Sequence, residues 1–419
     1  MAGVHPFLGL FYNQKIEPGK VLVPPYDVIS ETERKAFLKK DPHNYVRLLL
    51  GEGEDWYSKA ADIFRKWRKD GTFVQDKEES FYVSEEEFIC PNTGERKIRR
   101  GFFAVVDLEP IEKNIVRPHE KTHPGPKLDR LKLLKAIKAH VDPIFAMHDH
   151  NAIVKDILAK VVKTKPFREF KDYAGIKHKL WKLSDKKSCD AITDALKGKH
   201  LYIIDGHHRY ETALTYAQRR HKEEGDNTLK PYDQVLMCLV CMGDPGLMCL
   251  PTHRLITKFP KPVEDVLRRI EILFDIKIIT PGVPPPKSTI QFITKDKSYD
   301  VILRDPDQIF SCTGAGGKAP PFYHRLPVVL LHQVILEGLL GLDEVAQRHV
   351  IRYVKATPMT LAEATNQVKR GEFEALFILP QTTIEQVKEV GDIPDLFMPQ
   401  KSTFFIPKIL SGQVLYPFD

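Results

Sequence analysis

The chain has 419 residues, of which 63 are Lys or Arg and 56 are Asp or Glu, a formal net charge of +7. With 42% hydrophobic and 28% charged residues it reads as a globular sequence of two or three domains, which excludes disordered and fibrous classes. The small basic excess admits an anionic ligand without arguing for nucleic acid, and six cysteines are too few for a disulfide framework, so a reducing cytoplasm is the expected location. No secretory leader and no apolar run of membrane length is read along the sequence, so no membrane partner is expected.

Residues 1–19 read as a loop-like lead-in. KVLVPPYDVI, residues 20–29, reads as a short apolar strand interrupted by Pro24 and Pro25, neither of which can donate to a central ladder. Tyr26 and Asp27 then stand where that strand ends, with a turn role for Asp27 as the plain alternative. Ser30 opens SETE, a capping box for a helix over 31–40. Asn44 precedes a strand expected over 45–50, whose one charge is Arg47; both are candidate ligand contacts, with a surface ion pair as the alternative. Ala60, Ile63, Phe64 and Trp67 form one stripe of a helix over 56–69, and a hairpin follows over 81–88 and 96–106.

Arg117, His119, Glu120 and Lys121 crowd into a loop stiffened by Pro118, Pro124 and Pro126, ahead of a helix over 128–140. A rigid loop carrying acid, base and imidazole can position chemistry, and Glu120 is a general-base candidate; a solvated charge run is the alternative. A strand over 142–147, a helix over 151–162, a basic irregular stretch over 163–187 and a short helix over 190–196 lead to the stretch that organises the chain.

That stretch is LYIIDGHHRYETALTYAQRR, residues 201–220. Leu201 to Ile204 read as a buried strand, Asp205-Gly206 breaks it, and Tyr210, Ala213, Leu214 and Ala217 mark one stripe of a helix starting at His207. A helix start leaves unpaired N–H groups and partial positive charge, a ready anion site. It also carries His207, His208 and Arg209, and an arginine can make a two-pronged bond to phosphate. A charged loop is expected over 219–230, then a buried strand over 234–242, in which Cys238 and Cys241 point to opposite faces. His253 and Arg254 end the strand that follows.

DGHHRYETA resembles the signature of domain-of-unknown-function family 1015, and is similar to the GGCHR box of sulfiredoxins and the GERR box of ParB proteins. PPYDV, PHNYVRL, RPHEKT, DPGLMCLPTHRL and MPQKSTFFIPK resemble further blocks of the family, so the resemblance covers nearly the whole chain. His207 stands where sulfiredoxin needs cysteine, so that chemistry is not implied. What the resemblance implies is a nucleotide phosphate site at the helix start and, from relatives that are kinases of free serine, phosphoryl transfer to a small hydroxyl metabolite. Asp205, Gly206, His207, His208 and Arg209, with Lys401, Ser402 and Thr403, are then the expected contacts to ATP or ADP, or to CTP, with Mg²⁺ on Asp205. Asp27, Glu120 and His208 are the catalytic candidates, and Tyr26, Asn44, Arg47, His119, His253 and Arg254 the substrate contacts. The other reading is a nucleotide-binding switch of ParB-like logic without turnover.

The expected fold is α+β: a ParB/sulfiredoxin-like N-terminal domain over 1–258 and a smaller mixed α/β C-terminal domain over 259–419, packed over the cleft; a homodimer is compatible with it. The second domain reads as a helix over 263–274, strands over 275–279, 289–293 and 299–303, and a helix over 327–340. A strand over 350–354, a helix over 360–370, a strand over 375–379 and a helix ending at Val390 follow. TGAGGKAPP, residues 313–321, is a loop whose glycines do not match a Walker motif. Lys401, Ser402 and Thr403 precede a strand over 404–406, as a phosphate-capable group or as a polar strand entry.

Overall fold

A computed structural model of the chain describes residues 3–122, 124–280, 285–286, 288–305 and 319–419. It is a mixed α/β fold with several sheets. Among the described residues the larger sheet has nine strands. Its path runs Val116–Arg117, Leu201–Asp205, Ile144–His148, Gln234–Cys241, Arg96–Asp107, Phe81–Ile89, Lys177–Leu183 and Arg168–Lys171, with Val4–His5 also paired to Arg96–Asp107. Leu201–Asp205 runs parallel to Val116–Arg117, and Gln234–Cys241 parallel to Ile144–His148. Both faces of this sheet are covered: Leu201 and Ile203 pack with Tyr210 and Ala213 of the helix His207–Glu224, while Tyr202 and Ile204 join a second core on the other face. A strand buried on both sides reads as a continuous apolar run, which is how Leu201 to Ile204 reads.

The second sheet is antiparallel, in the order Phe274–Ile279, Ser298–Leu303, Thr289–Thr294, Ala375–Ile378, Thr252–Ile256, Ile351–Lys355. Phe292 and Phe377 stack at 4.6 Å between centroids and belong to the same core as Tyr202 and Ile204, so one apolar layer joins the two sheets. Sheet membership changes between Met248–Leu250 and Thr252–Ile256, a few residues ahead of Lys258. The last stretch returns to the first half. Phe404–Ile406 pairs with Met248–Leu250, Ser411 N donates to Val23 O, Leu415 and Leu10 pair, and Tyr416–Pro417 pairs with Ala139–His140. No helix among the described residues is long and apolar enough to cross a membrane.

Several expectations are corrected. Residues 20–29 are no strand: Pro18 opens a one-turn helix, Pro18–Val21, Tyr26–Val28 is a 3₁₀ turn, and only Val23 makes a bridge. Tyr45, Val46, Leu48 and Leu49 are all buried, and a short all-buried run fits either element; it forms the helix Val46–Leu49. The basic stretch 163–187 contains the strands Arg168–Lys171 and Lys177–Leu183, where Lys177 and Lys179 lie opposite Glu87 and Glu85. The helix expected from Leu128 starts at Pro124, a residue favoured at helix starts, and ends at Ile137 before Lys138 in a left-handed conformation. The central helix runs on to Glu224, where Gly225 at φ +66° ends it. Residues 327–340 divide into a short helix, Pro327–Val329, and a π-helix, Leu330–Leu339. Of the loop 313–321, residues 313–318 lie outside the described residues.

Candidate functional site

The strand, the glycine and the helix start fall where the sequence puts them. A register shift between Ile203 and Asp205 bends the strand end, and Gly206 follows at φ +94°. A Cβ there would lie 2.8 Å from Arg209 Nε, so only glycine admits the arginine over this turn. Arg209 faces inward. Its Nη1 lies 2.9 Å from Asp142 Oδ1 and donates to Pro143 O, and its Nη2 lies 3.3 Å from Asp205 Oδ2. Ser411 Oγ donates to Asp142 Oδ1 at 2.7 Å. The fork that an incoming phosphate would use is engaged by the protein's own acids, and Arg209 orders the site from behind.

Asp205 takes a second cation on its other oxygen, Lys408 Nζ at 3.3 Å from Oδ1. Burial pushes the Asp205 carboxyl up, but Lys408, Arg209 and Lys401 outweigh it and hold it below the usual range. Burial raises the Asp142 carboxyl against the pull of Arg209. With a protein cation on each oxygen, Asp205 does not suit the Mg²⁺ expected there. Among the described residues no group of three or more His, Cys, Asp or Glu converges as a metal site.

Lys408 also borders a cavity of about 530 Å³, together with Lys355, Phe404, Pro24 and Val28. The two ammonium groups lie 4.7 Å (Lys408) and 5.0 Å (Lys355) from the centre of the Phe404 ring. Desolvation lowers the Lys355 pKa, Lys408 and Lys401 lower it further, and Glu33 and Asp27 oppose them. Asp27 is exposed and lies within electrostatic reach of Arg209 and Tyr26 as well. Three lysines distant in sequence from the helix start thus converge beside it; of the two exposed acids near them, Glu33 is engaged in the Ser30 capping box and Asp27 stands nearer Arg209 and Tyr26.

Glu120, His119, Lys401, Ser402 and Thr403 form a second group. Glu120 Oε1 accepts from Ser402 N at 3.0 Å, Thr403 N at 3.1 Å and Thr403 Oγ1 at 3.1 Å, and Oε2 from Lys401 N at 3.3 Å. Successive N–H groups around a left-handed residue, here Lys401 at φ +56°, make an anion-binding concavity. Glu120 fills it, so its oxygens are engaged and the loop is closed by an internal acid. His119 sits behind, 1% exposed, its Nδ1 donating to Ile203 O at 2.8 Å and its Nε2 2.9 Å from Thr403 Oγ1. Its ring meets that of His207 edge to face at 4.7 Å, and burial lowers both imidazole pKa values. His208 is half-buried beside them in sequence.

The remaining candidates are engaged in contacts within the protein. Asn44 is fully buried, donating to Lys20 O at 2.8 Å and accepting from Val46 N at 3.1 Å, and Arg47 donates to Leu38 O at 2.9 Å. Tyr26 stacks under Arg130 at 4.1 Å, near Arg209. His253 accepts from Leu379 N at 3.2 Å inside the second sheet. Arg254 is fully buried; it donates to His332 Nε2 at 3.0 Å and to the carbonyls of Gln400 and Lys401 at 3.4 and 3.2 Å, bracing the loop that Glu120 closes. Sequence reasoning passed over Asp142, Lys355 and Lys408. Lys408 ends a noted block, but neither lysine carries a local signal, because each reaches the site only through tertiary pairing.

A family model described as protein of unknown function, DUF1015, matches residues 4–329. The chain belongs to this family. Lys355, Lys401 and Lys408 lie beyond the part that DUF1015 matches. No curated protein matches the chain. Solved structures similar to this DUF1015 member include a conserved hypothetical protein from Pyrococcus furiosus, at 13% identity and TM-score 0.33, over 74% of this chain and 95% of that one. A free serine kinase in complex with AMP has 12% identity and TM-score 0.34, over 74% and 92%. SbnI with a C-terminal truncation, from Staphylococcus aureus, has 11% identity and TM-score 0.38, over 75% and 87%.

Proposed function

We propose that the chain binds the phosphates of ATP or ADP, or of CTP, in the cavity bordered by Lys355 and Lys408 beside the helix start at His207, and transfers a terminal phosphoryl group to a small hydroxyl metabolite. The observation that carries this reading is the convergence of Lys355, Lys401 and Lys408, only one of which has a carboxylate partner within 4 Å among the described residues. Phosphoryl transfer needs positioning and charge stabilisation above all, and this group supplies the charge. Asp27 takes the proton of the acceptor hydroxyl, whose oxygen attacks the terminal phosphorus. The bond to the bridging oxygen breaks and the shortened nucleotide leaves with that oxygen's electron pair. Glu120 is the weaker base candidate, since four donors occupy its carboxylate. Mg²⁺ is not assigned to Asp205, and no step is routed through it.

The family resemblance supports a nucleotide site of ParB/sulfiredoxin-like type, and free serine is the first acceptor to test. The experiment incubates the protein with Mg²⁺, serine and, separately, ATP, ADP and CTP, and reads O-phosphoserine by mass spectrometry. Product that disappears in Asp27→Asn while nucleotide still binds by calorimetry supports the kinase. Binding lost in Lys408→Ala places the phosphates at the lysines. Nucleotide binding with no phosphorylated product favours the switch, and no binding refutes both.

A further inference from the structure

Lys408 pairs with Asp205 and borders the cavity of about 530 Å³, yet its own backbone is lightly held. It follows Phe404–Ile406, a strand of three residues in a sheet of two. Pro407 has no N–H, so it cannot extend that ladder as a donor. Among the described residues the next backbone tie along the chain, Ser411 N to Val23 O at 2.9 Å, lies beyond Lys408. Between the strand and that tie, Pro407 O accepts from Arg99 Nη1 at 2.6 Å. A peptide unit is planar, so a donor on Pro407 O fixes the plane from which Lys408 departs.

Arg99 is itself held firmly. It is fully buried, and its Nε donates at 3.2 Å to Glu86 Oε2, from a buried glutamate that faces it directly across the ladder. Its guanidinium lies 4.6 Å from the centre of the Phe145 ring. Phe145 stands opposite Asp205 in the register between Ile144–His148 and Leu201–Asp205. Arg99 thus rests on the neighbour of Asp205 and holds the neighbour of Lys408, so it spans both ends of the Lys408–Asp205 contact. A buried ion pair is weak evidence for stability, since apolar side chains of like volume often serve as well. No apolar side chain donates to Pro407 O, however, and lysine lacks the planar fork that serves Glu86 and Pro407 O in one fixed geometry. Arg99 does not line the cavity, so it does not itself meet a bound phosphate.

We propose that Arg99 is a positioning residue for the phosphate site: it sets the backbone at Pro407 so that the Lys408 ammonium stands between Asp205 and the cavity. This rests on the reading that Lys408 meets nucleotide phosphates. Arg99 acts through Lys408 alone, so its loss weakens phosphate binding only while Lys408 is present.

The test is a mutant cycle on the full chain, read by calorimetric titration with ADP and with inorganic pyrophosphate. Binding by the parent should fall about tenfold in Lys408→Met. Arg99→Met/Glu86→Met removes the buried pair without leaving either charge alone, and it should keep the parent's melting temperature. It should nevertheless bind about tenfold more weakly, with less than about twofold further loss when Lys408→Met is added. Arg99→Lys, the variant to use where that one does not fold, should show the same coupling. A packing role alone gives a lower melting temperature with affinity kept, or equal losses of affinity with and without Lys408→Met, and either result overturns the proposal. A parent chain that binds neither ligand, or a Lys408→Met variant that binds as well as the parent, overturns the phosphate reading itself, and this inference falls with it.

Discussion

Replacing Lys408 with methionine removes one charge from the site while keeping an unbranched side chain beside Phe404. The ammonium lies 3.3 Å from Asp205 Oδ1, with the two side chains 13% and 14% exposed. At an effective dielectric of about 20, unit charges at that distance attract by about 5 kcal/mol. Ordering a lysine side chain costs up to about 2 kcal/mol, and desolvation of the ammonium takes a further share. Asp205 keeps Arg209 at 3.3 Å in the variant, so it is not left as an isolated buried charge. The net loss expected for Lys408→Met is therefore about 2 kcal/mol, measured by urea denaturation at neutral pH. In an Asp205→Asn background the same change should cost much less, and the double-mutant cycle should return most of that energy as coupling. The effect has a pH signature. The folded carboxyl titrates below its unfolded value, so its stabilisation is full above about pH 4 and is lost as pH falls from there through the folded value. The cost of Lys408→Met should shrink with it. A coupling below about 0.5 kcal/mol would place this contact among exposed ion pairs and refute the reasoning.

Three further outcomes follow from the same geometry. Arg209→Lys keeps the charge but cannot reach Asp142, Asp205 and Pro143 O together, and should cost about 2–4 kcal/mol in chemical denaturation. Burial holds the imidazole of His140 neutral down to about 4, and those of His253 and His332 down to about 3. Unfolded histidines take up protons near pH 6.5 while the folded ones do not, so stability is full above 6.5 and falls as pH drops toward the folded values; a melting temperature that stays flat between pH 7 and 5 would contradict this. Asp392 accepts from Tyr202 at 2.5 Å and Lys388 at 2.9 Å and pairs with Arg117, joining the helix Ile384–Gly391 to the first sheet. Asp392→Ala should cost about 1 kcal/mol, since the group is partly exposed, and should speed hydrogen exchange in that helix.

The sequence makes the local features legible and hides the distant ones. The helix Trp56–Lys69, the capping box at Ser30 and the turn from Leu201–Asp205 into the helix at His207 depend on near neighbours, and they fall where periodicity and capping place them. Val46–Leu49 misled because a short all-apolar run fits either element. At the site, the sequence draws attention to Arg209 for its fork but is silent on Asp142, the acid that receives it 67 positions earlier in the chain. Glu120 and the 401–403 loop both stand out as chemistry-bearing, yet only the fold shows that one fills the other.

The returning C-terminal stretch has a consequence for how the protein is made. Ser411 reaches Asp142 across 269 positions, and Lys408 reaches Asp205 across the whole second half. While the chain is still on the ribosome, Asp142 and Asp205 have Arg209 but neither Ser411 nor Lys408, and among the described residues Phe404–Ile406 is the strand that pairs with Met248–Leu250. An open edge beside an incomplete core is the usual starting point for intermolecular pairing. Nascent chains stalled before residue 404 should therefore engage chaperones and resist release in soluble form, and the arrival of Phe404–Ile406 sets the moment at which this edge is closed to intermolecular pairing.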